Sequence, residues 1–396
     1  MKTINFKWPI GFQSGATHAG FKDHQKQDLC WMVSKVPAVA AGVYTTNQFQ
    51  AAPVQFTKHT IDKHHQMQAW IINSGNANSF TGKQGIQNVQ IETQLVSKKL
   101  HLNPNLIGVA STGIIGKQMQ MDLFENGLNQ LQLSDQNYDA TKAILTTDTS
   151  AKKICIELNI DNHPVTITGF AKGSGMIHPH MGTTLSFITT DAHVDKLVLQ
   201  KILQQKIATS FNQITVDGCM STNDMVLSMA NGMADNPIIK EHTKEFKALA
   251  KGYELILTSL AKMVAKDGEG ANKLVEVHVH NAYSQLEANQ VARAIVGSNL
   301  VKAMIFGEEN NWGRIVQAIG QTIAHVDPNA IGITFGGVPL VKDSTPLKFD
   351  EQKIKRILAG DEIKIEVDLN SGHFHGIAWG CDLSYKYVEI NAAYEG

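Results

Sequence analysis

GFAKGSGMIHPHMGTTLSFITTDA, residues 169 to 192, joins two apolar runs through glycine, small polar residues and histidine. The runs at 165–170 and 185–189 are rich in β-branched and aromatic residues and read as buried strands. Between them Gly182 precedes two adjacent threonines, Thr183 and Thr184, at the mouth of the second strand. β-Branched residues often begin a strand, and that is the plain reading of the pair. A second reading is chemical. A threonine hydroxyl is a weak nucleophile unless a base stands beside it, and its own α-amine becomes that base once the preceding peptide bond is cut. A free α-amine titrates at about 7.7–8.0, so a useful fraction is unprotonated near neutrality. Self-cleavage needs a small residue before the threonine and an exposed turn. HMGTTL supplies the first and is compatible with the second. The residues alone leave both readings, and both threonines, open.

Working outward, further strands are expected at 70–73, 106–110, 214–217, 274–279, 302–306, 331–335, 363–369 and 384–390. DEIKIEVDLN alternates strictly, placing Ile363, Ile365, Val367 and Leu369 on one face of a half-buried strand in an antiparallel or mixed sheet. KEFKALAKGYELILTSLAKMVAKDG carries the helical period instead. Phe246, Leu249, Tyr253, Ile256, Leu260 and Val264 form one stripe, with Gly268 just past its end as a stop. Other helices are expected near 85–100, 193–209, 285–296 and 312–320. Strands cluster and helices come in blocks, which favours an α+β layered sandwich over a doubly wound parallel sheet.

The 396 residues are 43% hydrophobic and 18% charged, which suffices for a large core and suggests two domains or one elaborated one. A net charge of −1, with both signs interspersed and no basic arm, argues against nucleic acid or an acidic membrane surface as partner. The opening MKTINFKWPIGFQSG has no signal-peptide core, and no apolar run is long enough to span a bilayer, so a cytoplasmic protein is expected. Cys30, Cys155, Cys219 and Cys381 lie far apart without a CxxC pair, the pattern of reduced thiols.

No P-loop, GxSxG elbow, HExxH helix or complete dinucleotide fingerprint is present. The histidine pairs His178/His180, His278/His280 and His373/His375 have the spacing that turns two imidazoles to one side of a strand. No third ligand type accompanies any of them, so no metal is expected. Glycine-rich loops are more informative: 72–82, 109–116, 145–150, 169–176, 215–224, 266–273 and 306–314 each follow or end an apolar run. Such loops offer bare N–H groups and short hydroxyls to carboxylates and developing oxyanions, although glycine, serine and threonine are also ordinary turn residues. Several carry a charge as well (Asp148, Lys172, Glu269), which points to a pocket for a polar small molecule.

Several stretches, taken in order along essentially the whole chain, resemble one family. They are AAGVYTTNQFQAAPV (40–54), INSGNANSFTG (72–82), GVASTGIIG (108–116), AILTTDTS (143–150), AKGSGMIHPHMGTTLSFITTDA (171–192), SFNQITVDGCMSTNDM (210–225), DGEGANKLVEV (267–277), FGEENNWGRI (306–315) and GCDLSYKYVEINAAY (380–394). The family is the ornithine acetyltransferases, or bifunctional glutamate N-acetyltransferases, of arginine biosynthesis. The resemblance implies an α/β/β/α-type sandwich with a smaller second α/β region. It also implies self-cleavage at Gly182–Thr183, which selects Thr183 over Thr184 as nucleophile. The α chain, 1–182, and the β chain, 183–396, would then co-fold and associate as α2β2. The implied reaction passes an acetyl group from N2-acetyl-L-ornithine to Thr183 and on to L-glutamate. Thr112 and Gly113 would form the oxyanion hole, and Thr149, Lys172, Thr183, Glu269 and Asn391 would contact substrate. No metal or organic cofactor is implied, and acetyl-CoA remains open as a second donor.

Departures from the family pattern are Gly182 where alanine is common, His180 for asparagine, Cys219-Met220 for Asp-Thr, and a Glu395-Gly396 end that lacks the usual hydroxyl. The alternatives are an N-terminal-nucleophile aminopeptidase or amidohydrolase of the same fold, and a binding protein that never cuts itself. Lys172 together with Glu269 favours an amino-acid substrate bearing a second amine.

Overall fold

The computed structural model describes residues 1–23, 25–178 and 184–393. Among these residues, nine strands form one mixed sheet. They are β1 (Lys2–Thr3), β2 (Phe12–Thr17), β3 (Leu29–Tyr44), β4 (Gln66–Asn76), β5 (Ile107–Ile114), β6 (Lys152–Ile160), β7 (His163–Lys172), β8 (Leu185–Thr190) and β9 (Met225–Ala230). Their order is β1-β6-β7-β8-β9-β3-β4-β5, with β2 also on β3.

The long strand β3 makes the sheet into two layers. Its first half, Leu29–Val33, pairs with β2 and β4, and its second half, Val39–Tyr44, pairs with β9. The ladder shifts between Val33 and Ala38, around Pro37, which has no N–H to give. Strand alternation then sorts the side chains. Cys30, Met32, Trp70 and Ile72 from one half meet Phe170, Phe187 and Leu227 from the other in a shared core. Trp70 and Phe187 touch across it, ring centroids 5.3 Å apart. On the outer face of one layer, helices Lys196–Ala208 and Lys244–Lys266 cover Ile156, Ile167, Ile188 and Val226. On the other, helices Gly82–Leu100 and Met121–Gln130 cover Leu29, Trp31, Ile71 and Val109. The result is the α/β/β/α sandwich expected from the sequence.

The smaller second region is a six-stranded mixed sheet of β10 (Leu274–Ala282), β11 (Gly332–Phe335), β12 (Val338–Lys342), β13 (Thr345–Pro346), β14 (Glu362–Asp368) and β15 (Phe374–Cys381). Ile363, Ile365 and Val367 of β14 face its core, with exposed or half-exposed residues between them. Helices Gln285–Gly297, Asn299–Phe306, Gly313–Gly320 and Glu351–Leu358 pack on that core.

Three expected strands are not strands. Residues 302–306 lie in helix Asn299–Phe306, whose first turn Ser298 caps, and 384–390 fall largely in helix Tyr385–Ala392, which Ser384 caps. A side-chain cap satisfies N–H groups that a strand would have left to a neighbour, and it settles these short apolar runs as helices. Residues 214–217 make only the isolated bridge Ile214–Trp379.

The topology interleaves the halves on either side of position 182. β8 and β9 lie between β7 and β3, so two strands of the later half are inserted among strands of the earlier one. Among the described residues no helix is long and apolar enough to cross a membrane. Cys30, Cys155, Cys219 and Cys381 are all unbonded thiols.

Candidate active site

β7 ends at Lys172 and β8 begins at Leu185, and a cleft opens at this end of the two strands. Six of the seven glycine-rich loops noted in the sequence contribute to it, through Ala77, Thr112 and Gly113, Thr146 and Thr147, Lys172 and Gly175, Ser221 to Asp224, and Glu269. The seventh, 306–314, lies in the second region. Thr184 and Leu185 also line the cleft. Gly182, Thr183 and His180 lie outside the described residues, as do Glu395 and Gly396.

Thr112 and Gly113 sit at the end of β5, where that strand pairs in parallel with β4. Gly113 has φ 132°, and a Cβ there would stand 2.3 Å from the Gly75 carbonyl carbon. Only glycine can bring these two backbones so close. Lys172, nearly buried, points its ammonium at the Thr112 hydroxyl, Nζ to Oγ1 3.4 Å. Since the ammonium only donates, Thr112 Oγ1 is the acceptor and keeps its own hydrogen for a group in the cleft.

Glu269 follows helix Lys244–Lys266 and is held at both carboxylate oxygens. Thr147 Oγ1 donates to one at 2.7 Å and Asn391 Nδ2 to the other at 2.7 Å. Gly175 leaves it room, because a Cβ there would come within 2.4 Å of the carboxylate. A fixed carboxylate and a fixed ammonium thus border one cleft. That arrangement suits a ligand carrying both a carboxylate and an amine.

Thr149 is a correction. Its backbone N–H donates to Asp267 Oδ2 at 3.1 Å, and its hydroxyl bonds the same carboxylate, outside the cleft. The cause is Asp148. Its carboxylate accepts from the Thr146 N–H at 3.0 Å and the Gly173 N–H at 2.7 Å, which curls the chain so that Thr146 and Thr147 face the cleft and Thr149 faces away.

Beneath the cleft lies an ion cluster of which the sequence had singled out only Asp148. Lys152 is almost fully buried between Asp148, at 2.6 Å, and Asp267. Burial pushes the Asp148 carboxyl upward, but the Lys172 and Lys152 ammonium groups and the Gly173 N–H outweigh it and hold the group at about 2. Ser174 completes the brace, its hydroxyl on the Asp267 carbonyl at 2.7 Å and its own carbonyl accepting from Glu269 N–H at 3.0 Å. On the other side, Asp217 accepts from the N–H groups of Met176 at 2.6 Å and Ile177 at 2.9 Å. Asn223 ties the ends of β4 and β5 together through the carbonyls of Ala77 at 2.6 Å and Ser111 at 2.8 Å. Apart from Lys152, which opens β6, these residues lie within loops already visible as glycine-rich. Their roles depend largely on partners distant in the chain, from about 25 to about 150 positions away, which no local pattern records.

The His278/His280 pair does share one face of β10, rings 6.2 Å apart, with His375 across on β15. His278 is engaged by Glu276 at 2.6 Å. Among the described residues, no group of three or more histidine, cysteine or acidic side chains is placed to hold a metal ion.

Comparison with known proteins gives a consistent result. Residues 13–396 match the ArgJ family. The arginine biosynthesis bifunctional protein ArgJ of Lactiplantibacillus plantarum is 51% identical over 393 residues, covering 99% of this chain and 97% of that one. That of Streptococcus mutans is 48% identical over 396 residues and covers both chains completely. Among solved structures, an arginine biosynthesis bifunctional protein argJ from Bacillus halodurans is 45% identical with a TM-score of 0.52, covering 52% of this chain and 98% of that chain. With the matching motifs spread over both halves and gathered at one cleft, this chain belongs to the ArgJ family.

Proposed function

We propose that this enzyme cuts itself between Gly182 and Thr183 and then transfers the acetyl group of N2-acetyl-L-ornithine to L-glutamate through an acetyl-threonine intermediate. In the first half-reaction the Thr183 hydroxyl gives its proton to its own α-amine, and Oγ attacks the acetyl carbonyl. The amide C–N bond breaks, and ornithine leaves with the proton. In the second, the neutral amine of glutamate attacks the ester. A C–N bond forms, the ester C–O bond breaks, and the proton returns to Thr183 Oγ. Thr112 and the Gly113 N–H would take the oxyanion in both steps. Lys172 would bind the α-carboxylate common to the two substrates, and Glu269, steadied by Thr147 and Asn391, the δ-ammonium of ornithine.

One observation carries the proposal. Thr112, Gly113, Lys172, Glu269 and Asn391 come from four separate parts of the chain and line one cleft with Thr184, the residue bonded to Thr183. Thr184 also has φ 144°, a conformation that β-branched residues avoid at a cost of about 1–3 kcal/mol. Backbone strain beside the bond to be cut favours its release. The Bacillus halodurans chain is about half as long as this one, as the two coverages require, and a cut near mid-chain gives pieces of that size. A cytoplasmic location and an α2β2 assembly complete the proposal.

The deciding assay supplies N2-acetyl-L-ornithine and L-glutamate together. Acetylglutamate and ornithine should appear in equal amounts. Free acetate without acetylglutamate would instead identify a hydrolase of the same fold. Replacing acetylornithine by acetyl-CoA then establishes the donor range.

A further inference from the structure

We infer that Asp224 is a positioning residue for the α-amine created at Thr183, its carboxyl holding that amine beside the threonine hydroxyl. The inference rests on the acyl-threonine proposal above. Asp224 ends the loop that leads into β9 and lines the cleft. Leu185 pairs with Met225 in the parallel β8–β9 ladder, so Asp224 stands level with Thr184. Its carboxyl accepts from the Thr184 N–H and from Ser221, while the Met225 N–H donates to the Thr184 carbonyl at 3.0 Å. The Asp224–Met225 pair therefore grips Thr184 at both ends. The Thr184 N–H belongs to the peptide bond that joins it to Thr183, so the carboxyl is one peptide unit from the residue it would serve.

The second oxygen, Oδ2, is buried and has no hydrogen-bond partner among the described residues. An unpaired buried carboxyl oxygen is costly and is retained where another group is to meet it. The neighbouring acids are already engaged: Glu269 by Thr147 and Asn391, Asp148 by Lys152, Thr146 and Gly173. Among the described residues, Oδ2 is thus the carboxyl oxygen left unpaired at the strand mouth where a chain end would form, next to the equally unpaired Thr184 hydroxyl. An amine that donates one hydrogen to it keeps its lone pair turned to the hydroxyl. Burial pushes the Asp224 carboxyl up to about 8, against the pull of Ser221, Lys172 and the Thr184 N–H, as expected for an acid awaiting a cation.

The test is Asp224→Asn, with the pH profile of kcat/KM for acetyl transfer as readout. A carboxylate stabilises the ammonium form of the amine, so its removal lowers the amine pKa. The acidic limb should move to lower pH by about one unit. Lys172 from β7, Asp148 from the preceding loop and Glu269 across the cleft act on the same amine but are common to both proteins. Turnover should fall on the order of 10²-fold through lost alignment. Self-cleavage should persist, because the role begins after the cut, and Asp224→Glu should return the limb towards its original position. An unmoved limb, or a folded variant that is no longer cut, overturns the inference. If Asp224→Asn fails to fold, Asp224→Ser replaces it with the same expectation. Failure of the underlying proposal looks different: the unaltered protein would itself stay uncut or take up no acetyl group.

Discussion

Thr112 gives the residue-scale claim its cleanest check. Its hydroxyl accepts from Lys172 and lies at the cleft, so Thr112→Ala removes the proposed oxyanion donor without opening the core. Turnover should fall by about 10²–10³ while KM changes little, since the oxyanion exists only in the transition state. A rise in KM with unchanged kcat would instead make Thr112 a ground-state contact. At this scale the sequence was informative about which loops meet, and less so about which residue of a loop faces inward. Thr147 and Thr149 are two positions apart in a turn, and the choice between them is made by the grip of Asp148 on Thr146 and Gly173. Lys172, Glu269 and Asn391 were named on resemblance, and the fold brings them together with Thr112 and Gly113.

At the scale of elements, helix Gly82–Leu100 hides an oddity. Glu92 lies fully buried among the apolar residues of that layer, with neither carboxyl oxygen bonded to any described residue. Burial raises its pKa to about 8. The unfolded chain releases that proton at about 4.3, so between these values the native state holds more protons and stability falls as pH rises. Glu92→Met should therefore stabilise the protein, with a gain in Tm that is small at pH 5 and grows towards pH 8. A gain independent of pH, or a loss, would show that Glu92 is paired in solution. The legible elements were those with a strong period, namely helix Lys244–Lys266 and strand β14. β3 and β9 were not legible, because β9 is buried on both faces and β3 nearly so, and neither shows alternation. The run 302–306 misled for a related reason: Lys302 is buried and satisfied by the Cys381 carbonyl at 2.8 Å, a partner that only the fold supplies.

At the scale of the whole molecule, the insertion of β8–β9 between β7 and β3 governs what a cut can do. Phe187 of β8 stacks on Phe170 of β7 at 5.2 Å and meets Trp70 of β4. After cleavage the two pieces should migrate as one species under native conditions and separate only under denaturant, in the same transition that unfolds the sheet. Separation by salt alone would contradict an interleaved core. Clustered strands and blocked helices indicated an α+β layered sandwich, and the family resemblance implied its α/β/β/α order. The corner in β3 that creates it depends on Pro37 and the register shift around it, and alternation alone does not reveal that corner.

The most direct measurement is the intact mass of the purified protein after mixing with N2-acetyl-L-ornithine in the absence of glutamate. It should show two polypeptides, the second beginning Thr183-Thr184-Leu185-Ser186-Phe187 and heavier by one acetyl group, with the addition lost once glutamate is supplied. A single uncut chain, or a cut protein that never carries the acetyl group, would contradict an N-terminal threonine acyltransferase.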